Sequence, residues 1–210
     1  MLKALRMLRS NPSGNDANEL DPYEAAWLSG YFAGLARSKL EEAPAAQPPV
    51  AVPSEHVLVL YGSETGNAAR VAAQVAQRLQ TAAMAAEVVD LAKYKARALE
   101  REKTVVIVTS THGDGTPPEP ARRFFEQLSS VSGPKSLSQL RFAVLGLGDS
   151  SYEHFCRAAR MLDERLAELG AHRIRARLDC DLDFAVPANA WISGLMPELA
   201  ASSSKASAAV

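Results

Sequence analysis

Cysteine is scarce in this sequence: two residues in 210, Cys156 and Cys180. Two are too few for a disulfide framework, and neither belongs to a C-x-x-C pair. Cys180 stands between two aspartates with no second sulfur or histidine near it in sequence, so a zinc site is not expected and the metal reading is none. A reducing cytoplasm suits such a chain. Excess charge is lacking too. Lys and Arg number 23 against 24 Asp and Glu, a net charge of −1, which gives no basic field for non-specific nucleic-acid binding. Long apolar runs are absent, and the basic, apolar start at residues 1–9 is too short for a signal peptide or a membrane span. No catalytic base–nucleophile pair stands out, and no internal repeat is apparent. Hydrophobic residues nevertheless make up 47%, enough for a sizeable core in one domain of about 150 residues plus extensions.

The run Tyr61-Gly62-Ser63-Glu64-Thr65-Gly66-Asn67 follows the apolar His56-Val57-Leu58-Val59-Leu60 and leads into a strong helix former over residues 68–79. Strand, tight hydroxyl-lined loop and helix start together make a phosphate cradle. N–H groups point outward, the helix dipole favours an anion, and hydroxyls donate. Lysine and arginine are missing from Gly62 to Ala69. A nucleotide-hydrolysing P-loop needs Lys and Ser/Thr after its last glycine, where this chain has Asn67-Ala68. The dinucleotide pattern G-x-G-x-x-G fails as well, on the number and spacing of glycines. What remains is a site for a terminal monophosphate held by neutral donors. Taken alone, the same residues also suit an ordinary capped strand–helix turn.

Asp21-Pro22-Tyr23-Glu24 carries a helix-start signature, and Trp27, Leu28, Tyr31, Phe32 and Leu35 recur at helical spacing as one apolar stripe. A Pro/Ala-rich linker follows over residues 41–54. The expected organisation is a docking or oligomerisation helix with its linker (1–54), an α/β domain (55–200) and a disordered Ala/Ser tail (201–210). Within the domain, strands are predicted at 56–61, 86–91, 104–110, 141–146 and 172–178. Helices are predicted at 67–83, 119–130, 152–169 and 185–199, with a weaker one at 95–101. Strands alternating with helices imply a doubly wound parallel sheet.

In such a sheet ligands sit beyond the carboxyl ends of the strands. Beyond the cradle, two further loops fall there. One is Thr109-Ser110-Thr111-His112-Gly113-Asp114-Gly115-Thr116-Pro117-Pro118-Glu119. The other is Leu145-Gly146-Leu147-Gly148-Asp149-Ser150-Ser151-Tyr152-Glu153-His154-Phe155-Cys156. Their glycines allow close backbone approach to a flat ligand, and Tyr152 offers an aromatic platform at a helix start. A monophosphate cradle, a glycine-lined wall and an aromatic platform suit a planar ring with a phosphorylated tail, as in FMN.

With these motifs the chain resembles the flavodoxin-like FMN module of the diflavin reductases, most of all that of the NADPH sulfite reductase flavoprotein α-component. Leu166-Ala167-Glu168-Leu169-Gly170-Ala171, Trp191 and the helix Ala25-Ala26-Trp27-Leu28-Ser29-Gly30-Tyr31-Phe32 continue the likeness. The resemblance implies a five-stranded parallel sheet in the order 2-1-3-4-5. It implies that Ser63, Glu64, Thr65, Gly66, Asn67 and Ala68 hold the FMN phosphate. Ser110, Thr111, His112 and Gly113 would line one side of the ring. Leu147, Gly148, Asp149, Ser150, Ser151, Tyr152, Glu153, His154, Phe155 and Cys156 would line the other, with Tyr152 stacked on the ring face. Asp179 or Asp181 would sit near the ring and ribityl chain. His112 departs from the tyrosine or glutamine of related reductases.

The implied role is an electron-transfer component of a sulfite-reducing oxidoreductase. It would be supplied by an NADPH/FAD reductase and would deliver to the sulfite reductase hemoprotein β-component, with an oligomer formed through the Trp27/Tyr31/Phe32 helix. NADPH oxidation by this chain alone is not expected, since FAD and NADPH regions are missing. Acidic Glu64, Asp114, Asp149, Glu153, Asp179 and Asp181 would form a rim that steers a basic partner. Alternatives are a free-standing flavodoxin-like carrier and a non-redox scaffold with a vestigial flavin site.

Overall fold

The structure, a computed structural model, describes residues 56–207 together with Ser29, with side chains as far as residue 201. The N-terminal stripe of Trp27, Tyr31 and Phe32 and the linker lie outside the described residues. Ser29 alone in that region is described, helical and exposed. The elements run β1 (His56–Gly62), α1 (Asn67–Thr81), β2 (Ala85–Asp90), a 3-10 segment (Ala96–Arg101), β3 (Thr104–Ser110), a short 3-10 turn (Glu119–Ala121), α2 (Arg122–Ser129), β4 (Arg141–Leu147), α3 (Arg157–Glu168), β5 (His172–Arg173), β6 (Leu178–Cys180) and α4 (Ala185–Ser207).

All strand pairs are parallel. The order is β2-β1-β3-β4-β5, with β6 also pairing with β4. The central strands are apolar without alternation because both of their faces are covered. Leu58, Leu60, Val105, Ile107, Phe142 and Val144 point into one core, shared with Phe124 and Leu128 of α2 and Leu162 and Leu166 of α3. Val57, Val59, Val106, Val108, Ala143 and Leu145 point into the other, shared with Val71, Val75 and Leu79 of α1 and Trp191, Ile192 and Leu195 of α4. No helix of the described residues is long and apolar enough to cross a membrane.

Three elements differ from the sequence reading. The fifth strand, predicted as one stretch over 172–178, is broken into β5 and β6. Residues between them turn to partners elsewhere: the Trp191 indole N–H donates to the Ala176 carbonyl at 3.0 Å, and Arg175 reaches Glu198 at 2.6 Å. Helix α3 begins at Arg157 rather than at Tyr152. Cys156, directly before it, has φ +50°, outside the helical region, so the preceding residues stay in the loop. Helix α4 continues past Leu199 to Ser207, over residues read from the sequence as the start of a tail.

Candidate cofactor site

The sheet order reverses between β1 and β3, and the loops after these strands flank that point. Both are tied to the sheet and to each other. The Ser110 hydroxyl donates to the Gly62 carbonyl at 3.4 Å, and the Thr111 N–H donates to the Leu147 carbonyl at 2.9 Å. Thr111 Oγ1 in turn accepts from the Ala158 N–H in the first turn of α3, at 3.2 Å.

In the first loop, Gly66 takes the left-handed region with φ +87° and stands at the N-cap of α1, where no side chain caps the helix. Its own N–H donates to Ser63 Oγ at 3.0 Å. The helix start is therefore left to an outside acceptor, and an anion is the natural one. Thr65 and Asn67 line the cleft in front of it.

The second loop folds back on itself. His112 and Thr116 exchange backbone hydrogen bonds at 2.9 and 3.0 Å, and Gly115 N–H donates to the Gly113 carbonyl at 2.8 Å. Gly115 has φ +84°, and a Cβ there would meet His154 Cβ at 2.4 Å. Glycine at this position lets the second and third loops touch. Across the cleft's end, His112 Nδ1 lies 2.5 Å from Glu64 Oε2.

The third loop is held from below. Gly148 N–H donates to the Cys180 carbonyl at 2.9 Å. Asp149 accepts from the Ser151 N–H and hydroxyl at 2.9 and 2.6 Å. Asp181 accepts from the Ser150 N–H at 3.0 Å, from the Ser150 hydroxyl, and from the Leu182 N–H at 2.8 Å. Those donors, the Ser150 hydroxyl foremost, hold the Asp181 carboxyl below the usual carboxylate range.

Together the loops enclose a cleft of about 380 Å³ lined by Thr65, Asn67, Ser110, Thr111, His112, Gly113, Leu147, Gly148, Asp149, Tyr152, His154, Phe155 and Cys156, joined by Leu182 and Phe184. The volume is that of a small-molecule site. Tyr152 is 54% exposed at its edge. Cys156 is fully buried, and burial followed by the Asp179 charge pushes its thiol up to about 12. It serves as a wall, not a nucleophile. Burial likewise raises Cys180 to about 11.

The remaining residues expected at the site stand around the cleft rather than in it. Ala68, in the first turn of α1, has its side chain buried, so only its backbone can face a ligand. Ser150, Ser151 and Asp181 line an adjoining hollow, and Glu153 is exposed outside. The Asp181 carboxylate, expected near the ring and ribityl chain, accepts from the third loop and braces it. Asp179 pairs with Arg177 at 2.8 Å. Leu182 and Phe184 join the site without a motif of their own in the sequence, where the aspartates of that loop stand out. Their signal was the acid–apolar alternation Asp181-Leu182-Asp183-Phe184. Among the described residues no group of His, Cys, Asp and Glu could hold a metal ion.

Comparison with known proteins agrees with this fold. The flavodoxin family model matches residues 59–186. The sulfite reductase [NADPH] flavoprotein α-component of Bacillus subtilis is 43% identical over 179 residues, covering 82% of this chain and 29% of that protein. The same component from Neisseria meningitidis is 46% identical over 188 residues, covering 87% of this chain and 31% of the relative. The chain thus spans about a third of the length of these relatives. Among solved structures, a flavodoxin from Streptococcus pneumoniae TIGR4 superposes with TM-score 0.63 at 25% identity, over 70% of this chain and 99% of that one. Oxidised flavodoxin 1 from Bacillus cereus superposes with TM-score 0.61 at 23% identity, over 69% of this chain and 97% of that one.

Proposed function

The chain belongs to the flavodoxin family, and from that premise we propose that it is the FMN-binding electron-transfer module of a sulfite-reducing flavoprotein. The observation that carries the cofactor assignment is the uncapped start of α1 behind Gly66, opening on a cleft with a half-exposed tyrosine at its edge. The residues present fit FMN: neutral donors for a monophosphate, a backbone-lined wall and an aromatic platform. FMN, when bound, accepts and passes on electrons one at a time.

The chain's own residues bind and orient. Thr65, Asn67 and the first N–H groups of α1 would take the phosphate. Ser110, Thr111 and Gly113 would face one side of the ring, and Gly148, Asp149 and Tyr152 the other. Leu182 and Phe184 add apolar surface to the cleft's lining. Exposed Asp114, Glu153 and Asp183 beside the cleft favour a partner with a basic face.

The donor in this proposal is an NADPH/FAD reductase domain or protein, and the acceptor is the sulfite reductase hemoprotein β-component. The relatives' name, sulfite reductase [NADPH] flavoprotein α-component, supports the acceptor, and the exposed acids near the cleft support a basic face on the partner. The proposed setting is the cytoplasm, with residues 1–54 serving assembly through Trp27, Tyr31 and Phe32 and residues 55–200 carrying FMN. Mixing the FMN-loaded chain with NADPH, an FAD reductase and the hemoprotein tests the assignment. Sulfide production that depends on this chain is expected. Reduction of its flavin with no delivery to the hemoprotein would point to a carrier for a different acceptor.

A further inference from the structure

The cradle that should receive an anion carries an anion of its own, Glu64, between Ser63 and Thr65. It holds no cation to offset that charge, since Lys and Arg are missing from Gly62 to Ala69. The guanidinium of Arg70, the next residue, is engaged with Asn67 Oδ1 at 2.9 Å. A free carboxylate beside a phosphate dianion would oppose binding.

In the structure the carboxylate is drawn aside. Its Oε2 lies 2.5 Å from His112 Nδ1 on the second loop, and Glu64 does not line the cleft although Thr65 and Asn67 on either side of Gly66 do. His112 is itself held in place. Its backbone is paired with Thr116, whose hydroxyl also donates to the His112 carbonyl at 3.0 Å. An imidazole with its proton on Nδ1 donates to the carboxylate.

Resting on the FMN reading, we propose that His112 is a positioning residue that holds the Glu64 carboxylate away from the phosphate position and so sets the preference for a phosphorylated flavin over riboflavin. The effect acts on the phosphate alone. Contacts that His112 makes with the ring are common to both ligands and cancel in the ratio of their affinities.

Dissociation constants for FMN and for riboflavin, measured by flavin fluorescence on the full chain, test this. His112→Ala is expected to lower the FMN-over-riboflavin preference about tenfold, the size of one lost hydrogen bond to a charged group. Adding Glu64→Gln to that variant is expected to restore the preference, because the offending charge is then gone. A preference unchanged in His112→Ala, or not restored in the double variant, overturns the proposal while leaving FMN binding standing. Failure of the unaltered chain to bind either flavin would overturn the FMN reading and this proposal with it.

Discussion

Tyr152 leaves more than half of its surface in solvent at the mouth of the cleft, although a phenol ring loses free energy by staying wet. A flat ligand covering it recovers that loss. Replacing Tyr152 by Ala should therefore weaken FMN by roughly 1 kcal/mol, about fivefold, with the circular dichroism spectrum unchanged. Equal affinity in a fluorescence titration would show that the ring stacks elsewhere. At Ser150 and Asp181 the expected effect is on pH. Asp181 has a folded pKa depressed by the Ser150 hydroxyl, the Ser150 N–H and the Leu182 N–H. Its bracing of the third loop is therefore fully present above the ordinary Asp range and is lost as pH falls through the lowered value. In Ser150→Ala the Asp181 carboxyl should titrate closer to the ordinary range, visible as an upward-shifted midpoint in a carboxyl NMR titration. An unmoved midpoint would contradict the assignment.

At the level of elements, the three loops were legible in the sequence because their chemistry is local. A missing lysine, paired glycines and an aromatic can each be read within a dozen residues. The broken fifth strand was not legible. Arg173, Arg175 and Arg177 alternate with apolar residues as a strand should, and the partners that break it, Asp163, Trp191 and Glu198, lie on two other helices, 10 to 23 residues away. The start of α3 was missed for a related reason, since a left-handed cysteine at position 156 leaves no sequence signal. Asp163 joins two of these pieces: it is almost fully buried and accepts from Arg173 at 2.8 Å and from Arg177 at 3.3 Å. Its replacement by Ala leaves two guanidinium groups short of a partner and should cost about 3 kcal/mol in urea denaturation. A loss below the precision of that measurement would show that Asp179 alone holds Arg177. Gly115→Ala should loosen the contact between the second and third loops, because both its φ and the His154 side chain oppose a Cβ. Faster FMN release in stopped-flow fluorescence is the expected result.

For the whole molecule, the doubly wound sheet follows from apolar strands that bury both faces, and it brings the three loops to one edge at the reversal between β1 and β3. Exposed Asp114, Glu153 and Asp183 lie by the cleft, so electron transfer to a basic partner should slow as ionic strength rises. A rate indifferent to salt would remove that surface from the account. The central claim is that these loops form an FMN site, and the most direct measurement is a fluorescence titration of FMN with the purified full chain, paired with its visible spectrum. An FMN site gives saturable quenching at one FMN per chain and a flavin absorbance that stays with the protein through gel filtration; FMN that elutes free, with no quenching at any protein concentration, would rule it out.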